Sequence, residues 1–273
     1  MRVNRPDWAP RDVDMDRASA ARLYDFFLGG SFNFEVDREL GRRVATVAPA
    51  VFDFARLNRA FLRRAVRFLV SQGVTQFLDI GSGIPTAGNV HEVAQRVRPG
   101  CRVVYVDNDP VAVAHSEVLL AGNPHVVAVQ ADMRDPGALL NDPGTARLLD
   151  FSEPIGLLMV AVHHFLPPAD EPERLMARYR EVLPLGSYLA LSHITSDAVA
   201  EQVSALVELY RESTHPVTVR SKAEVATLFE GFELVQPGLV FTPQWRPESP
   251  EDLDEHPEHA GVYAGVGRKS ALG

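Results

Sequence analysis

The stretch from Val74 to Gly88, V-T-Q-F-L-D-I-G-S-G-I-P-T-A-G, constrains this chain more than any other. Phe77-Leu78-Asp79-Ile80 is a short apolar run bounded by Gly73 and Gly81, the pattern of a buried strand. Gly81-Ser82-Gly83 then breaks it, where backbone can turn tightly and leave its N–H groups open to a ligand. Ala87, Val90, Ala94 and Val97 follow at helical spacing. Strand, glycine turn and helix in this order open a nucleotide-binding α/β unit. Which nucleotide it holds depends on the residues around the turn.

The rest of the chain can be read outward from there. Residues 1–15 show little periodicity and are expected to form a loose arm. Asp16 is a candidate N-cap for a helix carrying Ala20, Leu23, Tyr24 and Phe27, which Gly29-Gly30 stops. A second helix buries Val36, Leu40, Val44 and Val47 and ends at Pro49, and a third runs from about Ala50 to Gln72. The first 72 residues therefore read as a helical cap belonging to the same domain as a core over 73–273. After Gly73, strand candidates at 74–80, 102–107, 126–131, 155–163 and 187–193 alternate with helical segments. This rhythm predicts right-handed βαβ crossovers and a mostly parallel sheet. Asp109-Pro110 starts one crossover helix, a helix spans about Asp197 to Ser213, and Ser221-Lys222-Ala223-Glu224 forms a capping box for another ending near Gly231. Two β-rich segments, 232–242 and 260–268, finish the chain around an acidic linker with Glu248, Glu251, Asp252, Asp254, Glu255 and Glu258.

Two ligand classes compete for the glycine turn. A dinucleotide fingerprint needs a third glycine, G-x-G-x-x-G, and Thr86 stands there instead. Asp79, two places before the first glycine, would repel a pyrophosphate but attract an ammonium or sulfonium group. The second strand ends in Asp107, 24 residues beyond Gly83, where a carboxylate can accept both hydroxyls of a ribose. The third ends in Ala131-Asp132-Met133, placing a carboxylate for an exocyclic amine and a thioether for a ring face. Any one of these carboxylates taken alone reads as a loop or cap residue. Three on the tips of successive strands read as a nucleoside site with a cationic end.

D-I-G-S-G, Y-V-D-N-D-P and Q-A-D-M resemble the donor-binding motifs of class I S-adenosylmethionine (SAM)-dependent methyltransferases. R-L-Y-D-F-F-L-G-G, N-F-E-V-D-R-E, N-R-A-F-L-R-R-A-V, P-T-A-G-N-V-H-E and Q-W-R-P resemble, nearly end to end, an actinobacterial SAM methyltransferase family first catalogued as a domain of unknown function. The resemblance implies a Rossmann-like, seven-stranded sheet whose last strand is antiparallel and inserted beside the last parallel one. It implies SAM as donor and S-adenosylhomocysteine (SAH) as product, held by Asp79, Gly81, Ser82, Gly83, Asp107, Asn108, Asp132 and Met133. Arg59 or Arg63, one helix upstream, is a candidate for the carboxylate of the donor.

Catalytic candidates are His163 and His164, at the end of the fourth strand in an H-H-F segment similar to that of many small-molecule methyltransferases. Tyr24, Phe32 and Asn33 around the Gly-Gly break, His193 at the fifth strand tip, and Trp245 are candidates for the acceptor side. No Asn-Pro-Pro-Tyr segment occupies the fourth strand tip, and the formal net charge is −9, so nucleic acid is not the expected partner. A small-molecule acceptor is. Cys101 is the only cysteine, which excludes a disulfide framework and a Cys-based zinc site, and no metal is expected. No apolar run approaches the ~18 residues of a membrane span, and no signal core opens the chain, so a cytoplasmic location is expected. The alternatives from other classes are an NAD(P)-dependent oxidoreductase and a non-catalytic SAM-binding protein.

Overall fold

The computed structural model describes residues 9–10, 13–85, 88–249 and 255–271. Thr86 and Ala87 of the glycine segment, most of the N-terminal arm, and Glu251, Asp252 and Asp254 of the acidic linker lie outside them.

Five parallel strands carry the site: β1 (Gln76–Ile80), β2 (Arg102–Asp107), β3 (Val126–Gln130), β4 (Gly156–Val160) and β5 (Tyr188–Ile194). Short strands β6 (Glu233–Leu234) and β7 (Val240–Phe241) precede β8 (Val262–Arg268), which runs antiparallel to β5. The sheet order is β3-β2-β1-β4-β5-β8-β6, with β7 also paired to β8. β1 lies between β2 and β4, and all five of its residues are buried, which is why it reads as an unbroken apolar run rather than an alternation. Successive side chains of β1 leave opposite faces: Leu78 and Ile80 join one core layer, Phe77 the other.

Three helices come first: α1 (Ala20–Phe27), α2 (Glu35–Val47) and α3 (Val51–Ser71). α1 begins later than Asp16 suggests. Asp14 engages the Asp16 and Arg17 N–H groups in a bend, and Ser19 caps the helix by accepting from the Arg22 N–H. α3 underlies the sheet through Phe61, Ala65 and Leu69, while Val51 and Ala55 of its first half pack with α1 and α2. The crossovers are α4 (Val90–Val97), α5 (Pro110–Leu120), α6 (Pro136–Leu140), α7 (Pro143–Leu148) and α8 (Pro172–Val182); α9 (Ala200–Tyr210) and α10 (Lys222–Thr227) follow β5. Both start signals read from the sequence are present: Asp109 accepts from the Val111 N–H ahead of α5, and Ser221 and Glu224 exchange bonds at α10. Cys101 is a free, buried thiol.

Polar bonds anchor the N-terminal helices to the strand tips. The Arg22 guanidinium is buried, 2.8 Å from the Asp37 carboxylate and 3.6 Å from Asp109, the cap residue after β2. Ser19 donates its hydroxyl proton to the same Asp109. Thr214, after α9, donates its backbone N–H to the Ala18 carbonyl.

Candidate active site

The turn after β1 is built for a close approach. The Gly81 and Ser82 N–H groups donate to the Val106 carbonyl at 2.8 and 3.1 Å, folding the turn back onto β2. Gly81 has φ +70°, and a β-carbon there would overlap the Val162 side chain at the neighbouring β4 tip. Gly83 has φ +67° and faces open space. The first glycine is thus demanded by packing, while the second leaves room for something outside the protein.

Asp107, at the tip of β2, organises the next step. Its Oδ2 accepts from the Gly83 N–H at 2.8 Å and its Oδ1 from the Asp109 N–H at 2.9 Å. Each oxygen keeps a further lone pair for a ligand. Burial, opposed by these backbone donors, leaves its pKa raised to about 6. Asp79 is more deeply buried, and desolvation, with the Arg59 guanidinium opposing and Asp107 reinforcing, pushes it to about 7. A buried carboxylate in that condition is stabilised by any cation that docks beside it.

Asp132, after β3, differs from these two: Arg134 donates its Nε and a terminal nitrogen to the carboxylate, holding the pKa below the usual carboxylate range. The Met133 carbonyl is fixed by the Tyr179 hydroxyl at 2.7 Å. Asn108 bonds the His215 ring at 3.0 Å.

These residues wall one cleft of about 1650 Å³, counting its open mouth, which runs across the tips of β3, β2, β1, β4 and β5. Of the residues picked from the sequence, Tyr24, Arg59, Asp79, Gly81, Ser82, Gly83, Asp107, Asn108, Asp132, Met133 and His164 line it. The remaining six are not part of its wall. His163, fully buried and with neither ring nitrogen bonded, sits behind His164 on a 3-10 turn. His193 bonds the Ile194 carbonyl through Nδ1 and Arg220 through Nε2, each at 2.7–2.8 Å. A carbonyl only accepts and a guanidinium only donates, so that ring is a neutral bridge with its lone pair in use. Asn33 brackets Asp25, Gly30 and Arg38, and Phe32 packs against His115 with ring centres 3.7 Å apart and planes tilted by 39°. Trp245 is completely buried beneath the sheet, edge-on to Phe61 and Phe68, because Arg64 holds its carbonyl at 2.8 Å and turns the ring inward. Arg63 lies beside Gly88, outside the wall, with its pKa lowered first by burial and then by Arg59.

The β4 tip holds a feature the sequence does not announce. Ala161 has φ +57°, an unfavourable conformation for a residue with a β-carbon. Its N–H donates to the Ser192 Oγ at 2.9 Å, and Ser192 donates to the Asn58 Oδ1 at 2.6 Å. Asn58 then donates to the Tyr24 hydroxyl at 3.0 Å, and Tyr24 to the Ala55 carbonyl at 3.1 Å. This relay ties the strained tip to α3 and α1. Asn58 carried a readable signal, an amide on the apolar stripe of α3 between Ala55 and Leu62. Beyond the tip, Phe165, Tyr210 and His215 also wall the cleft; Phe165 closes the H-H-F segment, while nothing in the local sequence marks Tyr210 or His215. Burial holds the pKa of His164 well below the ordinary histidine value.

Comparison with known proteins adds a family. A family model described as S-adenosyl methyltransferase matches residues 6–270. A crystal structure of a DUF574 family protein from Streptomyces avermitilis is 39% identical with a TM-score of 0.90, covering 94% of this chain and 99% of that one. A crystal structure from Thermobifida fusca YX, described as a candidate methyltransferase, is 40% identical with a TM-score of 0.91, covering 97% and 100%. No curated protein matches.

Proposed function

The chain belongs to the S-adenosyl methyltransferase family and is a SAM-dependent methyltransferase, and we propose that it methylates a small molecule bound beside the donor in the strand-tip cleft. The observation that carries the donor assignment is the row of Asp79, Asp107 and Asp132 facing one cleft from three adjacent strand tips. Bound SAM supplies a methyl group already activated on sulfonium sulfur, which leaves the protein chiefly the task of alignment.

Each side chain has a part suited to its surroundings. Asp79 receives the donor's ammonium end, a role favoured by a buried carboxylate with no ion pair closer than the Arg59 field. Arg59, which lines the cleft and is braced by Asn89 at 3.2 Å, receives the carboxylate of the same end. Arg63, outside the wall, stands behind it. Ser82 and the open Gly83 turn admit the donor backbone. Asp107, oriented by two backbone N–H groups, takes the ribose hydroxyls, with Asn108 alongside. Asp132 and Met133 take the adenine. His164, a neutral imidazole at the wall, accepts a hydrogen bond from the acceptor and is a poor base. His163 and His193 support it from behind.

Residues 1–72 act as a cap over the core of 73–273: Ala20, Tyr24, Val51 and Phe54 supply part of the cleft wall and exclude water from it. The net charge of −9 supports a small molecule rather than nucleic acid as acceptor. Among the described residues no helix is long and apolar enough to cross a membrane, in keeping with a cytoplasmic setting. Calorimetric titration with SAM, SAH and NAD(H) tests the reading. SAM and SAH should bind at one site per chain and NAD(H) should not; NAD(H) binding in preference to SAM would overturn it.

A further inference from the structure

The cleft changes chemical character along its length. Its β1–β3 end carries Asp79, Asp107, Asp109 and Asp132, with Arg59 and Arg134. β3 and β5 stand four strand spacings of ~4.8 Å apart, and His215, which bonds Asn108 at 3.0 Å and has its ring centre 5.9 Å from that of Phe165, marks where the opposite end begins. That end is walled by Phe54, Phe165, Ile194, Val203, Leu206 and Tyr210. Among the described residues lining it there is no aspartate, glutamate, lysine or arginine; the polar groups are uncharged or imidazole, namely Gln202, His259, the Tyr210 hydroxyl, His164 and His215 beside Phe165, and the Tyr24 hydroxyl with Asn58 beside Phe54.

Two properties of this chamber select a ligand. A charged group entering it would lose its hydration with no carboxylate, guanidinium or ammonium on the wall to meet it, which disfavours binding. The Phe165 and Tyr210 rings stand within 27° of parallel, with centres 6.4 Å apart, and so present similarly oriented faces along one wall. His164, next to Phe165, is held neutral by burial and offers no charge to pair with. We infer that the β4–β5 end of the cleft takes an uncharged, predominantly apolar acceptor with a flat ring system, which excludes amino acids, phosphorylated metabolites and carboxylates as acceptors. The inference rests on the proposed division of the cleft into donor and acceptor ends.

The test uses 2-naphthol, neutral at pH 7, and 2-naphthoate, its anionic counterpart, titrated into the whole protein saturated with SAH. Naphthol should bind at least tenfold more tightly than naphthoate. Leu206→Glu should weaken naphthol at least tenfold while SAH affinity changes by less than twofold. Should that variant fail to fold, Gln202→Glu, at an exposed position of α9, should weaken naphthol at least threefold. Naphthoate binding as tightly as naphthol, no naphthol binding, or naphthol binding unchanged in the folded variant would each overturn the inference. Absence of SAH binding would overturn the donor assignment instead, and the naphthol comparison made without SAH would still decide the character of the chamber.

Discussion

Asp79→Asn should stabilise the protein and weaken its donor site together, and pH separates the two effects. The Asp79 carboxyl is 4% exposed and titrates near 7 in the folded chain, against 3.8 when unperturbed. A pKa raised on folding means the folded state binds the proton more tightly, so this stabilisation is complete below pH ~4 and is lost as pH rises to about 7. The shift of about 3 units corresponds to roughly 4 kcal/mol of charge burial at pH 8. Asparagine never carries that charge. The two proteins should therefore unfold alike near pH 4, and the variant should gain about 1.4 kcal/mol for each pH unit up to 7, where the gain levels off. Urea denaturation at pH 5 and pH 8 measures this as a widening of about 3 kcal/mol in the difference between them. In parallel, SAM affinity at pH 8 should fall at least tenfold, about 1.4 kcal/mol, because the ammonium loses its counter-charge. A stability difference that does not vary with pH, or a variant less stable than wild type at pH 8, would refute the burial argument. Unchanged SAM affinity would refute the ammonium assignment.

Asp107→Ala should weaken SAM about tenfold or more by calorimetry, since charge-assisted hydrogen bonds to the ribose are lost. Gly81→Ala should cost about 2–4 kcal/mol in denaturant melts, from the left-handed backbone and the overlap with Val162, whereas Gly83→Ala, with open space around it, should cost only ~1 kcal/mol. Arg22→Ala leaves the buried Asp37 and Asp109 carboxylates without their shared cation and should cost about 3–5 kcal/mol, with faster proteolysis around α1. Trp245→Ala should lower stability by about 3–5 kcal/mol while leaving naphthol binding by the folded protein intact, as its place beneath the sheet requires.

The donor side of this site is legible in sequence because each of its features is local. A strand, a turn glycine and a tip carboxylate sit within a few residues of one another, and parallel strands bring their C-terminal ends to one edge by topology alone. The same logic carried Asp79, Asp107 and Asp132 into the cleft. The far side is not local. Val203, Leu206 and Tyr210 reach it because α9 packs against α2, and their spacing reads only as an ordinary buried helix face. Trp245 illustrates the opposite error: an aromatic beside an acidic loop suggests a pocket rim, but Arg64, on the buried face of α3, draws the Trp245 backbone under the sheet. His193 sits at a strand tip as expected, yet its two ring nitrogens are spent on Ile194 and Arg220, a partner 27 residues away that no motif indicates. The β4 strand was expected to continue to 163 and instead stops at Val160, because Ala161 turns left-handed under the pull of Ser192 on the neighbouring strand.

A crystal structure with SAH bound decides how the donor lies across the strand tips. Adenine should lie at Asp132 and Met133, both ribose hydroxyls on the Asp107 carboxylate and the amino group of the homocysteine end against Asp79, leaving the Phe165–Tyr210 end free for acceptor. SAH lying with its adenine toward β5, or with Asp107 and Asp79 uninvolved, would contradict this placement.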